Sequence, residues 1–144
     1  MPEALEMPGG LLLASKRRVI FGDTDAMGIV YYGNYFRYFE IGRVELLRKA
    51  GIRYRDLTDR GIHLPVIESW CRYISPARYD DELSIFAGIE EVRGARLKFR
   101  YLISRDGEKL AEGYTEHAFT NAEGRPVKPP AEVKEKLQEI SRGQ

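Results

Sequence analysis

Two carboxylates stand two residues apart in FGDTDAMGIVYYGNYF, Phe21 to Phe36, directly ahead of a strongly aromatic stretch. Asp23 and Asp25 therefore sit on a loop that feeds a helix. The opening turn of a helix carries backbone N–H groups with no intrahelical partner and a partial positive charge. Such donors hold an anion, or the oxygen of a polarised carbonyl. A carboxylate beside a carbonyl held in this way is equipment for acyl transfer. It either attacks the acyl carbon or takes a proton from water, while the donors carry the charge on oxygen. Gly28 and Gly33 let the backbone approach closely. The competing reading of a D-x-D ahead of a helix is a turn or cap. A calcium loop needs more oxygen ligands than DTDAMG supplies.

The elements that must hold these residues follow from the pattern of the chain. SKRRVIFG, residues 15–22, reads as a strand, and DTDAMGIVYYG as a loop rich in turn formers. Asn34 is placed to cap the helix YFRYFEIGRVELLRKA, about 16 residues and ~24 Å long. Phe36, Phe39, Leu46, Leu47 and Ala50 recur at three- and four-residue steps, and Gly51 ends the run. Apolar residues occupy much of the circumference, so this helix is expected to be wrapped by other elements. Gly42 at its middle costs ~1 kcal/mol relative to Ala and makes sense only where something packs very close.

A short helix, YRDLTDRG, precedes four strand-like runs: HLPVIESWCRYIS, ELSIFAGIEEVRG, ARLKFRYLISR and KLAEGYTEHAFTN. In the third, Leu97, Phe99, Tyr101 and Ile103 alternate with Arg96, Lys98 and Arg100, a period of two. Asp106-Gly107 marks a hairpin turn, and PAEVKEKLQEIS closes the chain as a small amphipathic helix. One long helix among antiparallel strands predicts an α+β fold, a curved antiparallel sheet wrapped around that helix. Its open edges favour pairing with a second copy.

Composition narrows the function classes. With 144 residues the chain fits one domain, expected at 15–144 behind a flexible segment 1–14. A net charge of +1, from 23 basic and 22 acidic residues, argues against a general nucleic-acid binder. Cys71 is the only cysteine, which excludes an internal disulfide and a multi-cysteine metal site. The two histidines, His63 and His117, do not make a zinc site without added carboxylates. No apolar run approaches the ~20 residues of a membrane span. The first residues lack the pattern of a signal peptide, so the expected location is cytoplasmic.

FGDTDAMGIVYYGNYFRYFEIGRVELL resembles the signature of the 4-hydroxybenzoyl-CoA thioesterase family of hotdog-fold proteins. That signature is an aspartate pair, a glycine followed by apolar residues, an aromatic stretch with Asn-Tyr, and a helix carrying Gly-Arg. SPARYDDELSI is similar to the family's strand entry, and DGEKLAEGYTEHAFTNAEGRPVKPP to its last hairpin and exit. The likeness covers about residues 16–130. It implies a hotdog fold and a hydrolase that cleaves acyl-CoA thioesters to free acid and CoA. CoA is then part of the substrate, and no metal or further cofactor is needed.

By the same resemblance, Asp25 is the catalytic carboxylate, as nucleophile or general base. The backbone N–H of Tyr32 is the donor that polarises the thioester carbonyl, and Asp23 is a structural partner of the loop. Some relatives carry His at the position of Tyr32, so only its backbone role transfers. Arg93 and Arg125 fall where the family places phosphate-binding cations, with Arg96 and Lys128 as neighbours. Tyr31 and Tyr35, with Tyr32 and Phe36, supply aromatic walls for the acyl group. Another hotdog branch carries its carboxylate on the central helix, where Glu40 and Glu45 stand; Glu40 is expected to pair with Arg43 at i,i+3.

The family implies a homodimer with the site between two copies, or a homotetramer. Two alternatives stand beside this reading. One is an acyl carrier protein as the thiol carrier, met by the Arg96-Lys98-Arg100 face. The other is a module that binds acyl-CoA without cleaving it. His117 is expected as a hydrogen-bonded sheet residue and Cys71 as a small buried hydrophobe. His63 is assigned no role.

Overall fold

Helix α1, Asn34–Lys49, lies across one face of a five-stranded antiparallel sheet in the computed structural model, which describes residues 10–141. The strands are β1 Leu12–Arg18, β2 Val66–Tyr73, β3 Glu82–Arg93, β4 Arg96–Arg105 and β5 Glu108–Ala118. They are ordered β1-β3-β4-β5-β2, so β1 and β2 form the two edges. Two shorter helices complete the chain, α2 Tyr54–Asp59 and α3 Ala131–Ser141. This is the hotdog arrangement, an α+β fold.

Side-chain alternation explains how the layers meet. Leu97, Phe99, Tyr101 and Ile103 of β4 are buried, while Arg96 and Arg100 point to the outer face. On α1 the buried residues are Tyr35, Tyr38, Phe39, Gly42, Leu46 and Leu47. Phe39 stacks on Tyr101 with ring centroids 4.3 Å apart and planes 6° from parallel. Asp106 and Gly107 both take positive φ, 51° and 82°, as a tight hairpin turn requires.

The sheet packs around the helix as expected, and Arg37, Glu40, Arg48 and Lys49 are left exposed. The helix covers β1, β3 and part of β4, and every β2 residue except Cys71 is exposed. Three expectations need correction. The first strand starts at Leu12 rather than residue 15 and ends at Arg18. Beyond it the chain bends onto Asp80 and Asp81 through the Val19 backbone and enters a 3₁₀ turn, Phe21–Asp23. Leu11 and Ala14 are buried, so they belong to the folded domain and not to a leading segment; residues 1–9 of that segment lie outside the described residues. Finally, Asn34 does not cap α1. Gly33 holds the cap position, and the Asn34 side chain is used elsewhere.

Candidate active site

The loop between the 3₁₀ turn and α1 is a small closed hairpin. Thr24 bridges to Val30, the Asp25 N–H donates to the Ile29 carbonyl at 2.9 Å, and the Gly28 N–H donates to the Asp25 carbonyl at 2.9 Å. Gly28 takes φ +79°, a conformation that side chains other than glycine's resist. The Asp25 carboxylate is half-buried, and its Oδ1 accepts the Met27 N–H at 2.8 Å. Oδ2 meets no donor among the described residues. Asp25 therefore keeps one oxygen anchored and one available.

Asp23 is spent on structure. Its side chain is buried, and Oδ2 accepts the Tyr38 hydroxyl at 3.0 Å and the Ile20 N–H at 3.2 Å. Burial and donation to this carboxylate push the Tyr38 phenol well above its ordinary range. The Asp23 carbonyl accepts twice more, from the Tyr31 N–H and from Asn34 Nδ2, both at 2.9 Å.

The start of α1 supplies donors. The N–H groups of Asn34, Tyr35 and Phe36 close back on the carbonyls of Tyr31, Tyr32 and Gly33. Those of Tyr32 and Gly33 find no acceptor among the described residues. Two adjacent free amides thus open the helix immediately after the Asp25 hairpin. The neighbouring loop holds them in place. The Val30 N–H donates to the Ala77 carbonyl at 2.8 Å, and the Ala77 N–H donates to the Tyr35 hydroxyl at 3.3 Å. Arg105 pins that loop in turn, donating to Asp81 Oδ2 at 2.7 Å and to the Pro76 carbonyl.

The aromatic residues divide by role. Tyr31 and Tyr32 are exposed with ring centroids 4.8 Å apart, and the Tyr32 hydroxyl, with a smaller contribution from the Asp25 charge, raises the Tyr31 phenol. Tyr35, expected as a wall, is instead buried 5.2 Å from the Tyr73 ring. Tyr73 is a contributor that sequence reasoning missed. Its hydroxyl donates to the Tyr32 carbonyl at 3.2 Å and its ring meets Tyr32 edge-on, although nothing in a strand tyrosine signals this.

The cations lie elsewhere. Arg93 and Arg125 both lie toward one end of the sheet, where Phe119 bonds Ala95 and Asn121 bonds Arg125 through their backbones. Both are exposed, and Arg93 pairs with Glu91 at 3.3 Å. The Asp25 loop lies toward the other end, where Val30 bonds Ala77 and Ile29 bridges to Arg78 just before β3. The twelve residues of β3 separate them, roughly 35–40 Å at ~3.3 Å per residue.

The expected Glu40–Arg43 pair does not form. Arg43 Nε donates to the Tyr54 hydroxyl at 3.1 Å and lies beside Tyr101, while Glu40 is exposed. The Arg96-Lys98-Arg100 face is outward and partly neutralised, with Arg96 on Glu116 at 2.8 Å and Lys98 and Arg100 sharing Glu90 at 3.7 Å. Burial pushes the Cys71 thiol up to about 11, which suits an inert side chain. His117 is fully buried and hydrogen-bonded to Thr115 and to the Leu64 carbonyl, as expected. Among the described residues no cluster of three or more potential metal ligands is present.

Comparison with known proteins bears on the family and the fold. The model of the thioesterase-like superfamily matches residues 19–137. The acyl-CoA thioesterase YbgC of Haemophilus influenzae is 31% identical over 119 residues, covering 81% of this chain and 88% of its own. A crystal structure of a hypothetical protein from Aquifex aeolicus is 36% identical and superposes with a TM-score of 0.82, covering 85% of this chain and 97% of that one. A 4-hydroxybenzoyl-CoA thioesterase variant, solved in complex with 4-hydroxybenzoyl-CoA, is 27% identical with a TM-score of 0.78 and covers 85% and 96% of the two chains. A family match across most of the chain, joined to the same helix-on-sheet architecture, establishes that the chain belongs to the thioesterase-like superfamily of hotdog proteins.

Proposed function

We propose that this protein hydrolyses acyl-CoA thioesters, with Asp25 as the reactive carboxylate and the Tyr32 and Gly33 amides as the donors for the thioester oxygen. The observation that carries the reading is one open carboxylate oxygen on the loop that leads into two adjacent unpartnered amides at the start of α1. As general base, Asp25 takes a proton from water while the water oxygen bonds to the acyl carbon. As nucleophile, its own oxygen forms that bond, and after the thiol has left, water cleaves the resulting anhydride to the free acid and the restored carboxylate. In either route the carbonyl electrons move onto oxygen and the amides stabilise them. The carbon–sulfur bond then breaks, and the CoA thiolate leaves and takes up a proton. No metal or added cofactor enters the scheme.

The separation of Asp25 from Arg93 and Arg125 supports a site shared by two copies. Strand β2 is an open edge on which Val66, Ile67, Trp70 and Tyr73 are 45–47% exposed, with Ile74 just beyond it at 44%. Its Tyr73 end lies near the Asp25 loop, and its Val66 end pairs with His117, close to the Arg93 turn. Antiparallel pairing of two β2 edges sets the Tyr73 end of one copy beside the Val66 end of the other. That juxtaposition carries the partner's Arg93 and Arg125 toward the Asp25 loop, where they would hold the CoA phosphates as Arg holds such groups elsewhere. A homodimer is then the smallest active unit, and a homotetramer is two such dimers. With the Arg96-Lys98-Arg100 face partly neutralised, CoA is favoured over an acidic carrier protein as the thiol carrier.

Thiol release measured across a panel of acyl-CoAs tests the activity, and complementation tests the shared site. Asp25→Asn and an Arg93→Ala/Arg125→Ala variant should each be weak alone. Mixed and allowed to exchange subunits, they should regain part of the wild-type rate, because one of the two sites in the hybrid is intact. No thiol release from any acyl-CoA would sink the activity, and no recovery on mixing would sink the shared site.

A further inference from the structure

Asp23 ties together the two halves of the proposed site, and the side chains that hold it lie on the helix. Its carbonyl accepts from the Tyr31 N–H and from Asn34 Nδ2, both at 2.9 Å. Those two residues bracket Tyr32 and Gly33, whose amides are free. One oxygen atom therefore fixes the chain on both sides of the donors. Two residues beyond Asp23 stands Asp25. The Asp23 carboxylate is only 6% exposed as a residue, and it is satisfied by the Ile20 N–H and by the Tyr38 hydroxyl at 3.0 Å. Tyr38 belongs to the second turn of the same helix, and its ring is packed edge-on against Tyr35 with centroids 5.9 Å apart.

We infer that Tyr38, acting through Asp23 together with Asn34, is a positioning residue that sets the Asp25 carboxylate and the Tyr32–Gly33 amides in one geometry. The inference rests on the reading of Asp25 as the reactive carboxylate. Its physical basis is satisfaction of a buried charge. A carboxylate excluded from water needs its donors. Deprived of the phenol, Asp23 keeps only the Ile20 amide and must turn toward solvent. Its backbone then moves, and with it the carbonyl that brackets the donors and the start of the Asp25 hairpin. Chemistry is sensitive to such movement, since misplacement of about 1 Å costs on the order of 10²-fold in rate. Tyr38 and Asn34 bond Asp23 rather than Asp25, so the effect is expected on turnover more than on substrate affinity.

Tyr38→Phe keeps the ring and removes only the hydroxyl, and Asn34→Ala removes the second tether. Each should lower kcat at least about tenfold with KM changed less than about threefold. In an Asp25→Asn background Tyr38→Phe should cost nothing further, within about twofold, because a positioning residue has nothing left to position. A Tyr38→Phe enzyme with a lowered melting temperature but wild-type kcat would show a merely structural hydroxyl and overturn the inference. So would an effect that adds fully to that of Asp25→Asn. If Asp25→Asn alone retains the wild-type rate, the underlying assignment of Asp25 fails instead, and the two failures are distinguishable.

Discussion

Thr115 Oγ1 lies 2.8 Å from His117 Nε2, and the direction of that hydrogen bond is fixed by its surroundings. His117 Nδ1 faces the Leu64 carbonyl at 3.0 Å, which can only accept, so Nδ1 carries the proton. Nε2 then accepts from the Thr115 hydroxyl, and the Thr115 oxygen accepts from the Tyr101 hydroxyl at 2.6 Å. Arg43, beside Tyr101, can only donate. The whole buried chain therefore requires a neutral imidazole.

Burial, with a smaller contribution from the Arg43 charge, lowers the His117 imidazole from 6.5 to about 4. The unfolded chain thus takes up this proton near pH 6.5, and the folded chain resists until about pH 4. The stabilisation is complete above pH 6.5 and is lost as pH falls through that window, by about 3 kcal/mol in total. Urea unfolding of wild type and His117→Gln at pH 7 and pH 4.5 checks this. The wild type should lose more stability than the variant, by roughly 2 kcal/mol. Parallel pH profiles would contradict the assignment.

Gly42 fills a position with no room for a side chain. A Cβ there would stand 2.9 Å from Ile85 Cγ2 and 3.6 Å from both Ala87 Cβ and the Tyr101 ring. The propensity gain of alanine in a helix, ~1 kcal/mol, is smaller than the overpacking cost of about 1–3 kcal/mol. Gly42→Ala should be neutral to destabilising by up to ~2 kcal/mol, and Gly42→Val clearly destabilising, in thermal or urea melts. A Gly42→Val protein as stable as wild type would show that α1 rides higher on the sheet than described.

The β2 edge carries the proposal that two copies share each site. A charge placed on it, as in Ile67→Asp, should leave the monomer folded but shift it to monomeric mass in sedimentation. Thiol release should fall with it, by about 10²-fold if the CoA phosphates are held across the interface. A monomer of full activity would place the whole site in one chain.

Local patterns made much of the fold legible before any coordinates. The period of two in Leu97, Phe99, Tyr101 and Ile103 specified β4 and its buried face, and Asp106-Gly107 specified the hairpin that follows. Gly42 signalled close packing correctly, because only contact with another element offsets its cost in a helix. What stayed hidden was long-range partner choice. Spacing on a helix makes Glu40 and Arg43 neighbours, yet Arg43 turns to a hydroxyl contributed by Tyr54 of the next helix. Asn34 has the right chemistry for a cap, but the Asp23 carbonyl captures its amide after the loop folds back.

The site was legible in the same uneven way. A D-x-D loop ahead of an aromatic helix start pointed to a carboxylate beside helix N–H donors, and the choice of Asp25 and of the Tyr32 amide rested on the family resemblance. The division of labour between the two aspartates is set by Tyr38, fifteen residues from Asp23. The separation of Arg93 and Arg125 from Asp25 depends on strand register and on which end of β3 each occupies. Neither composition nor spacing carries that information.

Steady-state thiol release by Asp25→Asn, paired with calorimetric binding of a non-hydrolysable acyl-CoA analogue, is the most direct test of the account. The substitution keeps the shape of the side chain and the acceptor for the Met27 amide while removing its basicity and nucleophilicity. The account predicts a fall in kcat of at least ~100-fold with analogue affinity changed only a few-fold. A variant that binds the analogue and still releases thiol at most of the wild-type rate would contradict it.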